Sequence, residues 1–282
     1  MTPATMMTPA TRGTDIAPEM QAAPLTTAAR VAEVLRVSPA ALFVDIDGTL
    51  SPTVASPYEA RVGPECGAAL RRLSAHLAAV CVLTGRPADE AWRLVGVSEA
   101  IYLGNHGIET WYQGELLRPA GIERFHARLA RAQSMLRHAL SNVPGLIFED
   151  KGIGFAIHYG RAPSVGDDVI AAARSVARRR GLQVIPRTDH VEVRAPVKGD
   201  KGTALQKLAT TRRLRSLVVI GDDSVDIPAF EAARAYALAS GATALRIGVG
   251  RRLHDLAPVD LWVADTDAVC ALLSDAADEL SG

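Results

Sequence analysis

Residues 41–50 read Ala-Leu-Phe-Val-Asp-Ile-Asp-Gly-Thr-Leu, an apolar run that ends in two aspartates one residue apart. A buried strand seldom delivers two carboxylates to its C-terminal end, because clustered carboxylates repel one another and lose solvation there. Strand side chains alternate faces, so Asp45 and Asp47 project the same way wherever the strand continues. The pattern makes sense if a hard cation held by oxygens neutralises the pair and a reaction uses it; Mg²⁺ fits best. Gly48 permits a tight turn, and Thr49 can hydrogen-bond a backbone group or an oxyanion. Asp45 can serve as a nucleophile, since carboxylates form aspartyl-phosphate intermediates, and Asp47 can protonate a leaving oxygen and then activate water. The plainer alternative is a strand followed by an Asp-Gly turn, with Asp47 as the turn former.

Strand and helix patterns alternate around this run, the signature of a parallel sheet flanked by helices. A helix is predicted over 27–37, a strand over 41–45, a helix from Pro64 to Leu77, a strand over 79–83 and a third strand over 101–103. From Gln113 to Pro196 the order changes to helix, two strands, helix, two strands, which suggests a small α+β module on an antiparallel sheet. The first alternation then resumes with a helix over 201–210, strands over 217–220, 235–238, 246–249 and 261–263, a helix over 227–234 and a last helix over 267–280. The expected fold is therefore α/β: a doubly wound parallel-sheet core over 26–112 and 197–282, with an inserted α+β cap over 113–196. Residues 1–25, rich in Met, Thr, Pro and Ala, are expected to form a mobile tail.

Lys+Arg and Asp+Glu balance at 31 each, so no global positive field recommends a nucleic-acid partner. No apolar stretch approaches a membrane span. Cys66, Cys81 and Cys270 have neither metal-ligand spacing nor an even-numbered disulfide framework, which points to a reducing, cytoplasmic setting. Oligomeric state has no sequence signal here.

In open α/β sheets the ligand lies beyond the carboxyl ends of the strands. Besides Asp45 and Asp47, Thr84-Gly85-Arg86 ends the second strand, and Gly221-Asp222-Asp223, followed by Asp226, ends the strand over 217–220. Lys201 begins a helix, where an ammonium can balance a carboxylate and a phosphate. Each cluster alone reads equally well as a turn, a helix cap or a solvated charge; the weight lies in the ordered set.

The set resembles the haloacid dehalogenase superfamily of phosphohydrolases, with its Asp-x-Asp-x-Thr loop, Ser or Thr after the second strand, Lys, and acidic pair. The resemblance implies Asp45 as nucleophile and Asp47 as general acid/base. It implies Mg²⁺ held by the Asp45 carboxylate, the Asp47 carbonyl and Asp222, with Asp223 or Asp226 assisting, and a phosphoryl group held by Thr84 and Lys201. A narrower likeness covers Gly104-Asn105-His106-Gly107, Glu149-Asp150-Lys151, His158-Tyr159 and Glu192-Val193-Arg194, which are similar to segments of the trehalose-6-phosphate phosphatase family. It implies a sugar phosphate as the small-molecule substrate, with Thr49, Gly85, Arg86, His106, Lys151, His158 and Glu192 as candidate substrate-binding residues. Five of these keep a second reading: Arg86 steers the acid/base or caps a helix, His106 shapes its loop or lines the cleft, His158 is a core or edge-strand histidine, Lys151 marks an exposed strand end, and Glu192 pairs with Arg194 on a sheet face. Ser224-Val225-Asp226-Ile227-Pro228 departs from the family's usual continuation, with apolar residues where that pattern has polar ones. The expected reaction is Mg²⁺-dependent hydrolysis of trehalose 6-phosphate. The alternatives are a phosphatase for another sugar phosphate, a phosphomutase, or a non-catalytic sugar-phosphate-binding module.

Overall fold

The computed structural model describes residues 26–250 and 259–282, so the tail expected over 1–25 lies outside the described residues. The described residues open with α1 (Thr27–Leu35), capped by the Thr26 hydroxyl accepting from Ala29 N–H, and enter β1 (Ala40–Val44). Then follow α2 (Pro64–Ser74), β2 (Ala79–Leu83), α3 (Ala88–Val95) and β3 (Ile101–Gly104). A hairpin of β4 (Glu109–Tyr112) and β5 (Glu115–Leu117) ends this stretch. The next unit comprises α4 (His126–Ala139), β6 (Ile147–Asp150), β7 (Gly154–His158), α5 (Gly166–Arg178), β8 (Gln183–Pro186) and β9 (His190–Arg194). The chain closes with α6 (Lys201–Arg212), β10 (Ser216–Gly221), α7 (Ile227–Ser240), β11 (Thr243–Val249), β12 (Leu261–Val263) and α8 (Thr266–Ser281).

An eight-stranded sheet runs in the order β12-β11-β10-β1-β2-β3-β4-β5, parallel as far as β3 and antiparallel through the hairpin. Strand β1 is buried on both faces, which is why it reads as a continuous apolar run. Leu42 and Val44 join a core with α1, α2, α3 and α8, whereas Ala41 and Phe43 join a second core with α6 and α7. This is the doubly wound arrangement expected. The chain winds outward from β1 in both directions, with β10 on one side and β2 on the other, so the crevice of the switch point opens at the C-terminal end of β1. The second sheet is antiparallel, in the order β6-β7-β9-β8, with α4 and α5 packed into its own core.

The structure differs from the sequence reading at three places. The strand expected over 235–238 is helical, because α7 runs on through an alanine-rich stretch to Ser240 and stops at the left-handed Gly241. The β4–β5 hairpin, absent from the sequence reading, continues the large sheet past residue 112. The expectation that the cysteines form no disulfide is corrected: α2 stacks on α8 and Cys66 is bonded to Cys270, with Cα atoms 4.9 Å apart across a sequence separation of 204. Cys81 is free and buried.

Candidate active site

The register of the parallel strands brings three polar loops together. Val44 pairs with Ile220 on one side and Val82 on the other, so the segments starting at Asp45, Asp222 and Thr84 leave the sheet side by side. Gly48 turns the first loop with φ of +87°, and a Cβ there would collide with the Asp222 carboxylate, so the close approach of the two loops requires glycine. Lys201 opens α6, whose first turn is capped by Asp200 accepting from Thr203 N–H at 2.7 Å.

Lys201 is 1% exposed, and its Nζ lies 2.8 Å from Asp45 Oδ2 and 2.8 Å from Asp226 Oδ1. Carboxylate oxygens of Asp45, Asp222 and Asp226 all lie within 4.8 Å of one another. Burial pushes the Asp45 carboxyl well above its usual range, with Lys201 opposing and Asp226 and Asp222 adding to the rise. Burial alone would lower Lys201, but Asp226 and Asp45 hold its ammonium above the ordinary value, so it carries its charge. Among the described residues Asp45 Oδ1 is buried with no hydrogen-bond partner. Three carboxylates facing one ammonium, with one orphaned oxygen, form a donor set that a hard divalent cation fits. Asp223 stands outside this group: its Oδ1 accepts from Val225 N–H at 2.8 Å, and the residue that completes the cluster is Asp226, whose Oδ2 also accepts from Asp222 N–H at 3.0 Å.

Asp47 is turned to Arg86, whose Nε and Nη2 donate to its two oxygens at 2.8 and 2.7 Å. Thr84 and Thr49 are fully buried behind the cleft surface. Thr84 Oγ1 accepts from Arg86 N–H at 3.2 Å, and the Thr49 hydroxyl donates to Asp222 Oδ1 at 3.4 Å. Thr49, expected beside the substrate, is buried and its hydroxyl braces the Asp222 side chain.

A cleft of about 1000 Å³ lies over these groups. Asp45, Asp47, Gly85, Arg86, Lys201 and Asp223 line its floor, and the face of the four-stranded sheet supplies the opposite wall. Strand alternation aims Glu192 and His190 of β9 the same way, beside Glu149, Lys151 and His158. Glu192 Oε1 is the meeting point of this wall: Lys151 Nζ donates to it at 2.8 Å, and His106 Nε2 lies 3.4 Å away. Burial works to raise the Glu192 carboxyl, but Lys151 foremost and then His106 and His190 hold it well below the usual carboxylate range. Lys151 Nζ also donates to Gly85 O at 3.0 Å, tying the wall to the floor. His158 Nε2 lies 2.7 Å from Glu149 Oε2, and its ring faces His190 with centroids 5.0 Å apart. The sequence reading missed His190 and Glu149 as wall residues. The signal for His190 was its place two residues before Glu192 on one strand.

The model of the trehalose-phosphatase family matches residues 43–249, most of the chain and all of the loops just described. The chain belongs to that family. It is 36% identical over 202 residues to the trehalose-phosphate phosphatase of Mycolicibacterium paratuberculosis, covering 69% of this chain and 51% of the relative. It is 33% identical over 205 residues to the trehalose-phosphate phosphatase of Mycobacterium leprae, covering 69% of this chain and 48% of the relative. The chain thus spans about half the length of the curated relatives it matches. Among solved structures, a trehalose-6-phosphate phosphatase related protein superposes with a TM-score of 0.71 at 24% identity, over 83% of this chain and 95% of that one. The C-terminal domain of Candida albicans trehalose-6-phosphate phosphatase superposes at 0.70 with 18% identity, over 89% and 95%. At those identities the superpositions speak for the family's fold.

Proposed function

We propose that this chain is a phosphomonoester hydrolase that converts trehalose 6-phosphate to trehalose and phosphate, with Mg²⁺ as its cofactor. The observation that carries the reading is the pairing of Lys201 with Asp45 at 2.8 Å, beside an orphaned Asp45 oxygen and beneath a wall of sugar-compatible donors and acceptors. In this reading an Asp45 carboxylate oxygen attacks phosphorus and the bond from phosphorus to the sugar oxygen breaks. Asp47, protonated for this step and so held by Arg86 through one oxygen, gives the sugar oxygen its proton, and Arg86 keeps it in line for the transfer. Water then attacks the aspartyl phosphate while Asp47 takes its proton back, and phosphate leaves. Lys201 and the loop amides after β2 offset the charge of the phosphoryl oxygens. Asp45, Asp222 and Asp226, with the Asp47 carbonyl, would hold Mg²⁺, which supplies further charge neutralisation there. Thr84 and Gly85 shape the phosphoryl loop, Thr49 braces Asp222, and Lys151, His158 and Glu192, joined by Glu149 and His190, read the sugar hydroxyls.

We assign the catalytic body to 26–112 and 197–282, with the β5 strand carried along, and the cap to the remainder of 113–196. A cytoplasmic setting goes with the sugar-phosphate substrate, although the Cys66–Cys270 bond removes the redox argument for it, and cell fractionation checks it; among the described residues no helix is long and apolar enough to cross a membrane. Phosphate release from a panel of sugar phosphates, with and without EDTA, tests the activity. The panel holds trehalose 6-phosphate, sucrose 6-phosphate, and glucosylglycerate and mannosylglycerate phosphates. Trehalose 6-phosphate is expected to give the highest kcat/KM, and EDTA to abolish release. A better substrate elsewhere in the panel overturns the specificity, and EDTA-resistant turnover overturns the cofactor.

A further inference from the structure

Three consecutive residues after β3 have left-handed backbones: Asn105 at φ 49°, His106 at 60° and Gly107 at 87°. Glycine enters that region freely, whereas each of the other two costs of order 1 kcal/mol, and such strain persists only where the surroundings over-determine it. Here the surroundings come from both sides of the cleft. Asn105 N–H donates to Arg86 O at 2.7 Å and His106 N–H donates to Thr84 O at 2.8 Å, which straps the turn to the phosphoryl-facing loop. The Asn105 side chain donates to Lys151 O at 3.0 Å, and the His106 ring reaches Glu192 Oε1, so the same turn touches the two central residues of the opposite wall.

The ring has a seat made for it. A Cβ on Gly85 would come within 2.8 Å of His106 Cε1, so glycine at that position makes room for the imidazole. Burial lowers the His106 pKa to about 4, with Lys151 and Lys201 adding to the fall and Glu192 opposing it. At neutral pH the ring is therefore an uncharged hydrogen-bond donor to a carboxylate and not a titrating acid. A turn that needed only its backbone conformation would be served better by glycine, as at position 107.

We propose that His106 is a positioning residue: it fixes the Glu192 carboxylate against the Thr84–Arg86 loop and so sets the distance between the sugar-reading wall and the phosphoryl-reading loop. The inference rests on the sugar-phosphatase reading and assigns His106 a role within it distinct from contact with substrate or proton transfer.

The test measures kcat and KM on the best substrate of the sugar-phosphate panel for the wild type, His106→Gly, His106→Gln, Glu192→Ala and the double variant His106→Gly/Glu192→Ala, with thermal melts for each. His106→Gly relieves the left-handed backbone and is expected to melt no lower than the wild type, yet to lose about tenfold in kcat/KM, chiefly through KM. His106→Gln, which keeps an N–H donor of similar reach, is expected to recover most of that loss. In the Glu192→Ala background the change to glycine should cost less than about twofold, because the two residues act as one unit. A His106→Gly enzyme with wild-type kcat/KM would show that the ring serves only the turn. Equal losses in both backgrounds would show that it does not act through Glu192. A wild type that releases phosphate from p-nitrophenyl phosphate but from no sugar phosphate gives a different failure, that of the sugar-phosphatase reading itself.

Discussion

The Asp47 carboxylate and the Arg86 guanidinium meet fork to fork, Nε to Oδ2 at 2.8 Å and Nη2 to Oδ1 at 2.7 Å. Arg86 is itself pinned, since Nη1 donates to Pro57 O at 2.9 Å and to Glu90 Oε1 at 3.1 Å. The orientation of Asp47 therefore depends on a planar, rigid partner, which lysine cannot imitate. Arg86→Lys is expected to lower kcat by about tenfold to a hundredfold with a smaller change in KM. Steady-state phosphate release checks this; a kcat within twofold of wild type would leave Arg86 only the task of capping α3.

Asp45 makes a sharper case. Asparagine has nearly the same shape and still offers Lys201 an oxygen, while Lys201 keeps Asp226 at 2.8 Å. Removing one carboxylate also relieves a crowded buried cluster, so the melting temperature should stay level or rise. Turnover should fall by at least about ten-thousandfold, because an amide does not replace the nucleophile. Near wild-type phosphate release from Asp45→Asn would remove Asp45 from that role.

The same cluster predicts a metal-linked stability. Ligands that bind only the folded state stabilise it in proportion to the logarithm of their concentration over Kd, about 2.7 kcal/mol at a hundredfold excess over Kd. Adding Mg²⁺ to EDTA-treated protein should raise the melting temperature of the wild type. It should raise that of Asp222→Asn far less, since one of the three clustered carboxylates is lost. Equal shifts in both proteins would place the ion elsewhere.

Much of this site is legible in the amino-acid sequence, and what escaped has physical reasons. Strand β2, over 79–83, and strand β9, over 190–194, fall where alternation or a buried apolar run is unambiguous. Asp45, Thr84, Lys201 and Asp222 were legible because strand ends and helix starts are where open α/β sheets concentrate ligand groups. Asp226 could be placed only as an alternative to Asp223, because the two lie three residues apart in one loop and its path decides which turns inward. The β4–β5 hairpin escaped because its strands are short and mixed in polarity, with a two-residue turn at Gln113-Gly114. Ala-Tyr-Ala-Leu at 235–238 reads as a strand only when detached from the alanine-rich helix before it. The left-handed Asn105 and His106 have no local signal beyond the glycines around them.

The Cys66–Cys270 bond, invisible in the spacing, joins two helices that carry none of the cleft-lining residues. A cross-link closing so long a loop is worth about 2–5 kcal/mol, chiefly by restricting the unfolded chain. Reductant should therefore lower the melting temperature of the wild type and leave a Cys66→Ala/Cys270→Ala variant unmoved, with kcat at room temperature the same in all three. Thiol counting under denaturing conditions gives the independent check: one free thiol before reduction and three after. Three thiols at the outset would show that the pair is not bonded in solution.

The His106 proton makes a stability prediction with a definite sign. The folded protein holds that proton with a pKa of about 4, against 6.5 for an ordinary histidine. Between those values the unfolded chain binds the proton and the native state does not, so this group's contribution to stability falls as the pH falls. The groups facing the ring are Glu192 on β9, Lys151 after β6 and Lys201 on α6; the lysines oppose its protonation and the carboxylate favours it. His190 works in the opposite sense. Burial lowers it, but its hydrogen bond to Asp189 and the Glu192 carboxylate 3.8 Å away raise it on balance, so its contribution is present below the ordinary histidine value and is lost as the pH rises through its folded value. Glu149 and Glu192, both held low in the fold, contribute above the ordinary carboxylate range and lose that only in stronger acid. The window from pH 7 to 5 leaves out those two low carboxylates but keeps Asp45, Glu90 and Asp223, which burial raises, and comparison with His106→Gln cancels them together with His190. Relative to that variant the wild type should lose about 2 kcal/mol of unfolding free energy between pH 7 and pH 5. Urea midpoints at three pH values measure the difference. Parallel pH dependences would mean that the ring takes up its proton as freely folded as unfolded, and the seat beneath Gly85 would not hold it dry.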